Sequence, residues 1–342
     1  MPVVAPCTQL WSAKLTEGFC TMALATLFRP KELSLIVGCE DGLVRIYDVS
    51  AKCLDVNSQS VLETKSGPIQ CLRVHDITKF YHNDLIVGDS CGMLTVFCNR
   101  QILSRQSLSS DSIICVTVVE DNGGSPVIVC SNDSGVITWV QLTTELWRIN
   151  LNSLSNKNPS HLVKVSCLQT VQMTDSTGNR RQYLLAADNS NRIHVICNGA
   201  IISSLMTPSS ITAMTQGRFI PSTKLSLPPG VSSASDSEQV ALGACNGAVY
   251  ILHNFHVTLD EFVNAKCSVT NMCTVPQTDS STDVLLCAGY FSALHLYKDG
   301  QLLMQYPTSD WVSSIAVADI DGDGTQEVVI GCKDNTVVAL KL

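Results

Sequence analysis

The chain has 342 residues, 16 cysteines and a formal net charge of −8. An acidic chain is repelled by phosphate groups, which argues against a protein that binds a nucleic-acid backbone. The sequence contains no run of about 18 apolar residues, and its start lacks the basic and apolar regions of a secretion signal. We therefore expect a cytoplasmic protein that is not itself inserted in a membrane.

The cysteines are scattered along the chain, and no two of them form a CxxC pair. Neither a zinc site nor a disulfide framework has this pattern. A free cysteine behaves as a small apolar residue and is often buried. We therefore expect reduced thiols, as in the cytosol, and no bound cofactor apart from the calcium candidate described below.

The first predicted element is a strand at residues 8–15, with the sequence TQLWSAKL. It resembles TELWRINL at residues 144–151, which directly follows one copy of a repeated phrase. We interpret both segments as the outer strand of one kind of structural unit. Residues 8–15 then need a unit with which to pair.

The repeated phrase occurs seven times and combines apolar residues, a turn and alternating apolar residues. Its copies are LIVGCEDGLVRIY (35–47), LIVGDSCGMLTVF (85–97), VIVCSNDSGVITW (127–139), LLAADNSNRIHVI (184–196), VALGACNGAVYIL (240–252), LLCAGYFSALHLY (285–297) and VVIGCKDNTVVAL (328–340). A unit that recurs at a roughly constant period indicates an array of one supersecondary element.

Two small or turn-prone residues lie four positions apart in each phrase. The first is small where neighbouring elements crowd, and the second is usually Gly or Asn, which enter the left-handed region easily. A continuous apolar stretch precedes the pair and strict alternation follows it, which predicts a hairpin between an inner and a middle strand. The hairpins are centred on residues 38–42, 88–92, 131–135, 187–191, 243–247, 288–292 and 331–335.

The spacing of these hairpins, 43 to 56 residues, fits four short antiparallel strands per unit. We therefore predict an all-β fold, a closed seven-bladed β-propeller that forms one domain over residues 1–342. The seventh phrase has no outer strand after it, so the strand at residues 8–15 is expected to complete that blade and protect its edge. The Ser- and Pro-rich segment 221–238 is expected to be a flexible loop.

One segment carries metal-binding chemistry, the sequence DIDGDGTQE at residues 319–327. Carboxylates at its first, third, fifth and ninth positions and the Thr325 carbonyl at the seventh would surround a hard cation with oxygen. The candidate calcium ligands are Asp319, Asp321, Asp323, Thr325 and Glu327. A well-formed turn, in which Asp side chains accept local amide groups, is the alternative.

The repeats together with the DxDxDGxxE loop resemble the FG-GAP (VCBS-type) propeller repeats of integrin alpha subunits. The resemblance covers the whole chain, and WD-repeat propellers are the competing match, although their GH and WD dipeptides are missing. The chain is similar to the propeller subunits of the KICSTOR complex and of the Bardet–Biedl coat. This resemblance implies a non-catalytic scaffold that assembles with other protein subunits, which recruit it to an organelle surface.

Acidic residues are frequent at the predicted hairpin tips. We predict that this face binds a basic segment of a protein partner, and the tight-turn preference of Asp is the alternative explanation. The candidate partner-binding residues are Glu40, Asp41, Asp89, Asp133, Asp188 and Asp334.

No GxSxG, Walker loop or dinucleotide fingerprint lies in the context that its chemistry needs, after a predicted strand and ahead of a helix. We therefore assign no catalytic residues and predict a protein–protein interaction scaffold in a cytosolic multiprotein complex. An enzyme with a site at the central channel of the propeller and a calcium-responsive sensor are the alternatives.

Overall fold

Antiparallel strands arranged in seven sheets make up the structure. The computed structural model describes residues 7–28, 32–121, 123–154, 162–175, 177–221, 238–258, 260–277 and 282–342. Among the described residues, six sheets are built from strands that follow one another in the chain, and the seventh combines the last three strands with the first. The fifth sheet carries one additional short strand. The predicted all-β propeller with seven blades is therefore confirmed. The segment predicted to be a flexible loop, 221–238, lies outside the described residues except for its two ends.

The strands are numbered along the chain and occupy four positions in each blade. The first strands are β2 (Phe19–Thr26), β6 (Ile69–His75), β10 (Ile113–Glu120), β14 (Val165–Thr174), β18 (Ile211–Gly217), β23 (Val269–Val275) and β27 (Val312–Ala318). The second strands are β3 (Leu33–Cys39), β7 (Asp84–Asp89), β11 (Pro126–Asn132), β15 (Arg180–Asp188), β19 (Gln239–Ala244), β24 (Val284–Gly289) and β28 (Glu327–Cys332).

The remaining strands complete the blades outward. The third strands are β4 (Leu43–Val49), β8 (Met93–Cys98), β12 (Val136–Gln141), β16 (Arg192–Cys197), β20 (Ala248–His253), β25 (Phe291–Lys298) and β29 (Thr336–Lys341). The outer strands are β5 (Leu54–Glu63), β9 (Gln101–Ser107), β13 (Thr144–Asn150), β17 (Ala200–Met206), β21 (His256–Val257) with β22 (Val263–Asn264), β26 (Gln301–Pro307) and β1 (Thr8–Lys14). A short helix, α1 (Leu151–Leu154), follows β13.

The first strands of successive blades contact one another around a closed ring, from β2 through β6, β10, β14, β18, β23 and β27 back to β2. They therefore surround the central channel. The hairpin of each repeated phrase joins the second strand to the third, so the innermost strand is the one ahead of the apolar strand. The second strand is an almost uninterrupted run of apolar residues because both of its faces are buried, one against each neighbouring blade.

Close contact between blades explains the small residue at the first hairpin position. A Cβ atom on Gly38 would lie 2.6 Å from Ile69, and one on Gly88 would lie 2.6 Å from Ile113, each the first residue of the next blade. The second position has a positive φ in six blades, which favours the Gly and Asn residues found there. Blade six differs, because Gly289 pairs with Phe291 and a tighter turn results.

The first strand of the chain closes the ring, as predicted. Strand β1 pairs antiparallel with β29, with Thr8 opposite Lys341 and Lys14 opposite Thr336. The indole N–H of Trp11 donates to the Ser50 carbonyl at 2.8 Å, and the side chain is 7% exposed. The terminal strands thus form one blade, and Trp11 links that blade to blade one.

The propeller has two faces. One, here called the hairpin face, carries the turns between second and third strands and the connections from each outer strand to the next blade. The opposite one, the loop face, carries the connections from first to second strands. All 16 cysteines are free thiols. Within the described part of the chain, no helix is long and apolar enough to cross a membrane.

Candidate functional site

The predicted calcium loop lies on the loop face of blade seven, between β27 and β28. One carboxylate oxygen each from Asp319, Asp321 and Glu327 lie within 4.8 Å of one another. The Asp319 carboxylate accepts the N–H groups of Gly322 (2.6 Å) and Gly324 (2.9 Å), which shapes the turn. The donor set consists of oxygen atoms and therefore suits calcium in chemical type.

A protein cation lies among these carboxylates. The Lys341 ammonium group is 2.5 Å from Asp321 Oδ2, 2.6 Å from Asp323 Oδ2 and 3.7 Å from Glu327 Oε1. Its hydrogen bonds to Asp321 and Asp323 raise the pKa of Lys341, and the Lys341 contact lowers the pKa of Asp323. A divalent cation that used Asp321 and Asp323 as ligands would have to displace Lys341. The sequence did not reveal this contact, because it depends on the register that sets β29 beside β28.

Glu327 has a second role that recurs around the ring. In three blades, the first residue of the second strand is buried and accepts the N–H of an isoleucine in the loop ahead of it. These pairs are Asp84 with Ile77 (3.0 Å), Gln239 with Ile220 (2.8 Å) and Glu327 with Ile320 (2.7 Å). In blade five this hydrogen bond is accepted by a neutral glutamine side chain, Gln239. The residue at this position can therefore shape its loop without binding a metal ion. The structure thus supports the turn alternative for this position, and calcium binding stays a prediction.

Most of the predicted partner-binding acids stabilise their own hairpins. Four of the six carboxylates accept a backbone N–H within the same turn: Asp41 from Leu43, Asp89 from Cys91 and Met93, Asp188 from Ser190 and Arg192, and Asp334 from Thr336. Asp41 in addition forms a bidentate ion pair with Arg45, at 3.0 and 2.6 Å. Asp89 and Asp188 are also buried, so their side chains are not on the surface.

The other two acids are Glu40, which is exposed, and Asp133, which is partly exposed. The connections between blades also bring Lys65, Lys164 and Lys266 to the hairpin face, so its charge is mixed. A partner role for these acids therefore stays a prediction, and the structure narrows it to the exposed ones.

Blade four brings together three residues that the sequence did not connect. The ring of His194 lies with Nδ1 2.9 Å from Ser204 Oγ and Nε2 3.0 Å from Asp188 Oδ2. An acid, an imidazole and a hydroxyl in this order also form the triad of serine hydrolases. Here the Asp188 carboxylate closes the hairpin as well, through Ser190. We interpret the set as a structural link between the hairpin, β16 and β17.

An exposed aromatic pair lies on the hairpin face between blades six and seven. Tyr290, at the blade-six turn, is 58% exposed, and Trp311, in the connection to blade seven, is 45% exposed. Their ring centroids are 5.0 Å apart. The backbone holds both residues in place, because Tyr290 N–H donates to the Ser268 carbonyl and the Trp311 carbonyl accepts Lys333 N–H. The sequence carries a signal for this site that the motif search missed. Tyr290 is an aromatic residue at a hairpin tip where the other blades have small, polar or charged residues.

No protein-family model and no curated protein sequence matches this chain. Solved structures do match it over nearly its whole length. BBS1N in complex with ARL6DN, soaked with lead, is 13% identical with a TM-score of 0.72, and the match covers 98% of this chain and 97% of that chain. A mercury-soaked crystal of the same complex gives 13% identity, a TM-score of 0.70 and coverage of 98% and 96%.

The WD40 β-propeller domain of Doa1 is 11% identical to this chain, with a TM-score of 0.68 and coverage of 99% and 97%. At such low identities the similarity establishes the fold alone. The predicted resemblance to Bardet–Biedl-type and WD40-like propellers is therefore confirmed at the level of architecture, and the chain is a seven-bladed β-propeller.

Proposed function

We propose that this protein is a non-catalytic interaction scaffold, a subunit of a cytosolic multiprotein complex. The observation that carries the proposal is the exposed pair of Tyr290 and Trp311 on the hairpin face. Large aromatic residues dominate the binding energy of protein interfaces, because they bury much area and lose little conformational entropy. Their exposure in an isolated chain indicates a surface that a partner covers.

The charges beside the pair favour a partner segment with a basic side chain. The Asp310 carboxylate accepts the backbone N–H of Trp311 at 2.7 Å, so a negative charge is held beside the Trp311 backbone. The Asp334 carboxylate, on the blade-seven hairpin, is hydrogen-bonded to Ser309, the residue before Asp310. An arginine or lysine that stacked on the two rings would gain cation–π attraction and two nearby carboxylates, partly offset by Lys333.

The structures similar to this chain support a role in protein–protein interaction in general terms. BBS1N was crystallised in complex with ARL6DN, so a propeller of this architecture binds a protein partner. The same architecture hosts unrelated functions, so the identity of a partner does not transfer with the fold.

The test is affinity purification of the tagged chain followed by mass spectrometry, comparing wild type with the double variant Tyr290→Ala/Trp311→Ala. We expect stoichiometric co-purifying proteins with the wild type and their loss with the double variant. The matched control is Met206→Ala, which removes an exposed apolar side chain from the outer strand β17. A wild-type chain that purifies alone, or partners that all persist with the double variant, would contradict the proposal.

A further inference from the structure

The rings of the exposed pair, Tyr290 and Trp311, each carry a polar group that the fold does not use. No hydrogen bond joins the Tyr290 hydroxyl or the Trp311 indole N–H to any residue that the structure describes. By contrast, the Trp11 indole N–H and the Tyr306 hydroxyl each donate to another residue of the chain. The pair thus offers two apolar ring faces, inclined to each other by 55°, beside two free hydrogen-bond donors.

The backbone around the pair is already hydrogen-bonded. Tyr290 N–H donates to the Ser268 carbonyl, and Trp311 N–H donates to the Asp310 carboxylate. The Trp311 carbonyl accepts the N–H of Lys333. A partner strand extends a sheet through free N–H and C=O groups at an edge, so these positions do not suit the addition of a strand.

The apolar part of this surface is also too short for a helix. A helix that binds in a groove uses apolar side chains three or four positions apart over several turns. Within the described part of the chain, the exposed large apolar residues at the hairpin-face end of blades six and seven are these two rings. Their centroids are 5.0 Å apart, less than one helical turn of about 5.4 Å. The site therefore suits a narrow, extended ligand.

We propose that the pair binds a proline-rich segment in the polyproline II conformation that carries a basic residue. This inference rests on the proposed function and names the chemistry of the partner. Polyproline II has no internal hydrogen bonds, so its backbone carbonyls are free. They would accept the Tyr290 hydroxyl and the Trp311 indole N–H, while the proline rings contact the aromatic faces. Proline already restricts the backbone, so little conformational entropy is lost on binding.

The charges beside the pair fit a basic residue in the same segment. Asp310 is partly exposed, and its hydrogen bond to Trp311 N–H fixes its side chain. Asp334 is also partly exposed and is hydrogen-bonded to Ser309. An arginine next to the prolines would lie over the open face of one aromatic ring and close to these carboxylates. The exposed Lys333 offsets part of this attraction.

The experiment titrates the full chain with the peptide Pro-Pro-Pro-Pro-Pro-Arg, blocked at both ends, and follows the indole Nε1–H signals of the four tryptophans by NMR. We expect a saturable shift of the Trp311 signal, which is identified by its absence in Trp311→Phe. The same peptide made with d-proline has the same charge and composition but the opposite handedness, and it should bind at least about tenfold more weakly. Glutamine in place of arginine should weaken binding, and Asp310→Asn should reduce that difference.

Two variants keep an aromatic ring but remove its donor. Tyr290→Phe and Trp311→Phe should each weaken peptide binding by about fivefold, followed through the backbone signals of Ser292 and Val312. The matched control is Trp147→Phe, on the exposed outer strand β13, which should leave the affinity unchanged. Thermal melting checks that these surface substitutions leave the fold intact.

The outcomes separate this inference from the proposed function. Excess peptide should release the proteins that co-purify with the tagged chain, because both would use the same site. Equal binding of the l- and d-proline peptides, absence of a Trp311 shift, or co-purifying proteins that the bound peptide does not release would overturn the inference. In each of these cases the scaffold role stands if Tyr290→Ala/Trp311→Ala still loses its partners.

Discussion

Lys341 and Glu327 face each other on neighbouring strands of blade seven, with Nζ 3.7 Å from a carboxylate oxygen that is fully buried. The pairing of Val328 with Leu340 sets this position, because Glu327 and Lys341 are the next residues outward on β28 and β29. The same ammonium group contacts Asp321 and Asp323. The acidic loop is therefore neutralised in part by the chain itself.

This contact predicts how the loop responds to calcium. Lys341→Met should raise calcium affinity by about an order of magnitude, because it removes the competing cation and makes the site more negative. Calorimetric titration of both proteins measures this, with Lys333→Met as the control for loss of an exposed lysine. Without calcium the variant should melt lower than wild type, since its carboxylates repel one another, and calcium should restore the melting temperature. Absence of calcium binding in Lys341→Met would rule out a metal site in this loop.

The closing strand predicts the effect of changes near the N-terminus. Trp11→Ala should destabilise the fold by about 3 kcal/mol, because it removes a buried aromatic side chain and its hydrogen bond to Ser50. Deletion of residues 1–16 should lower the melting temperature further and promote aggregation, because it exposes the edge of β29. Differential scanning calorimetry with light scattering measures both effects. Trp147→Ala, on an exposed outer strand, should lower the free energy of unfolding by less than Trp11→Ala does. Equal losses in the two variants would contradict the closure role of Trp11.

The blade-four link predicts a dependence of stability on pH. Burial raises the pKa of Asp188, but the hydrogen bonds from His194 and Ser190 outweigh it, so the pKa lies below the usual value of 3.8. A folded-state pKa below the unfolded one contributes stability above about pH 4, which is lost as the pH falls through the folded pKa. Asp188→Asn should therefore lose about 2 kcal/mol at pH 7.

As the pH falls from 5 to below the folded-state pKa of Asp188, Asp188→Asn should lose less stability than the wild type does. Urea unfolding at several pH values measures this difference. Asp48→Asn, on an exposed part of β4, serves as the control. An acid-unfolding curve identical to that of wild type would show that Asp188 is not linked to the stability of the fold. Ser204→Ala removes the hydroxyl that contacts His194. A small decrease in the free energy of unfolding of this variant would fit a structural link.

The crowding between blades predicts a coupled pair of substitutions. Gly88→Val should destabilise the protein by about 1–3 kcal/mol, because the new side chain would overlap Ile113 of the next blade. Ile113→Ala should itself be destabilising, yet the double variant should lose less than the sum of the two single changes. A double-mutant cycle by chemical denaturation tests this. Strict additivity would mean that these two positions do not pack against each other.

The sequence alone determined the number of blades, the positions of the hairpins and the closing strand. Each of these follows from local periodicity and turn chemistry, which repeat seven times and are readable without knowing any long-range contact. The acidic loop was also visible as a motif. Its Asp residues are compatible both with a cation and with a turn, and local sequence does not distinguish the two.

The tertiary structure decided which side chains meet. Lys341 enters the acidic loop through strand register, because β29 lies beside β28. Tyr290 and Trp311 pair across two blades, while Asp89 and Asp188 turn inward from tips that the sequence pattern places at the surface. Such contacts depend on the closure of the ring and on the direction of each side chain, and neither is encoded in a short segment.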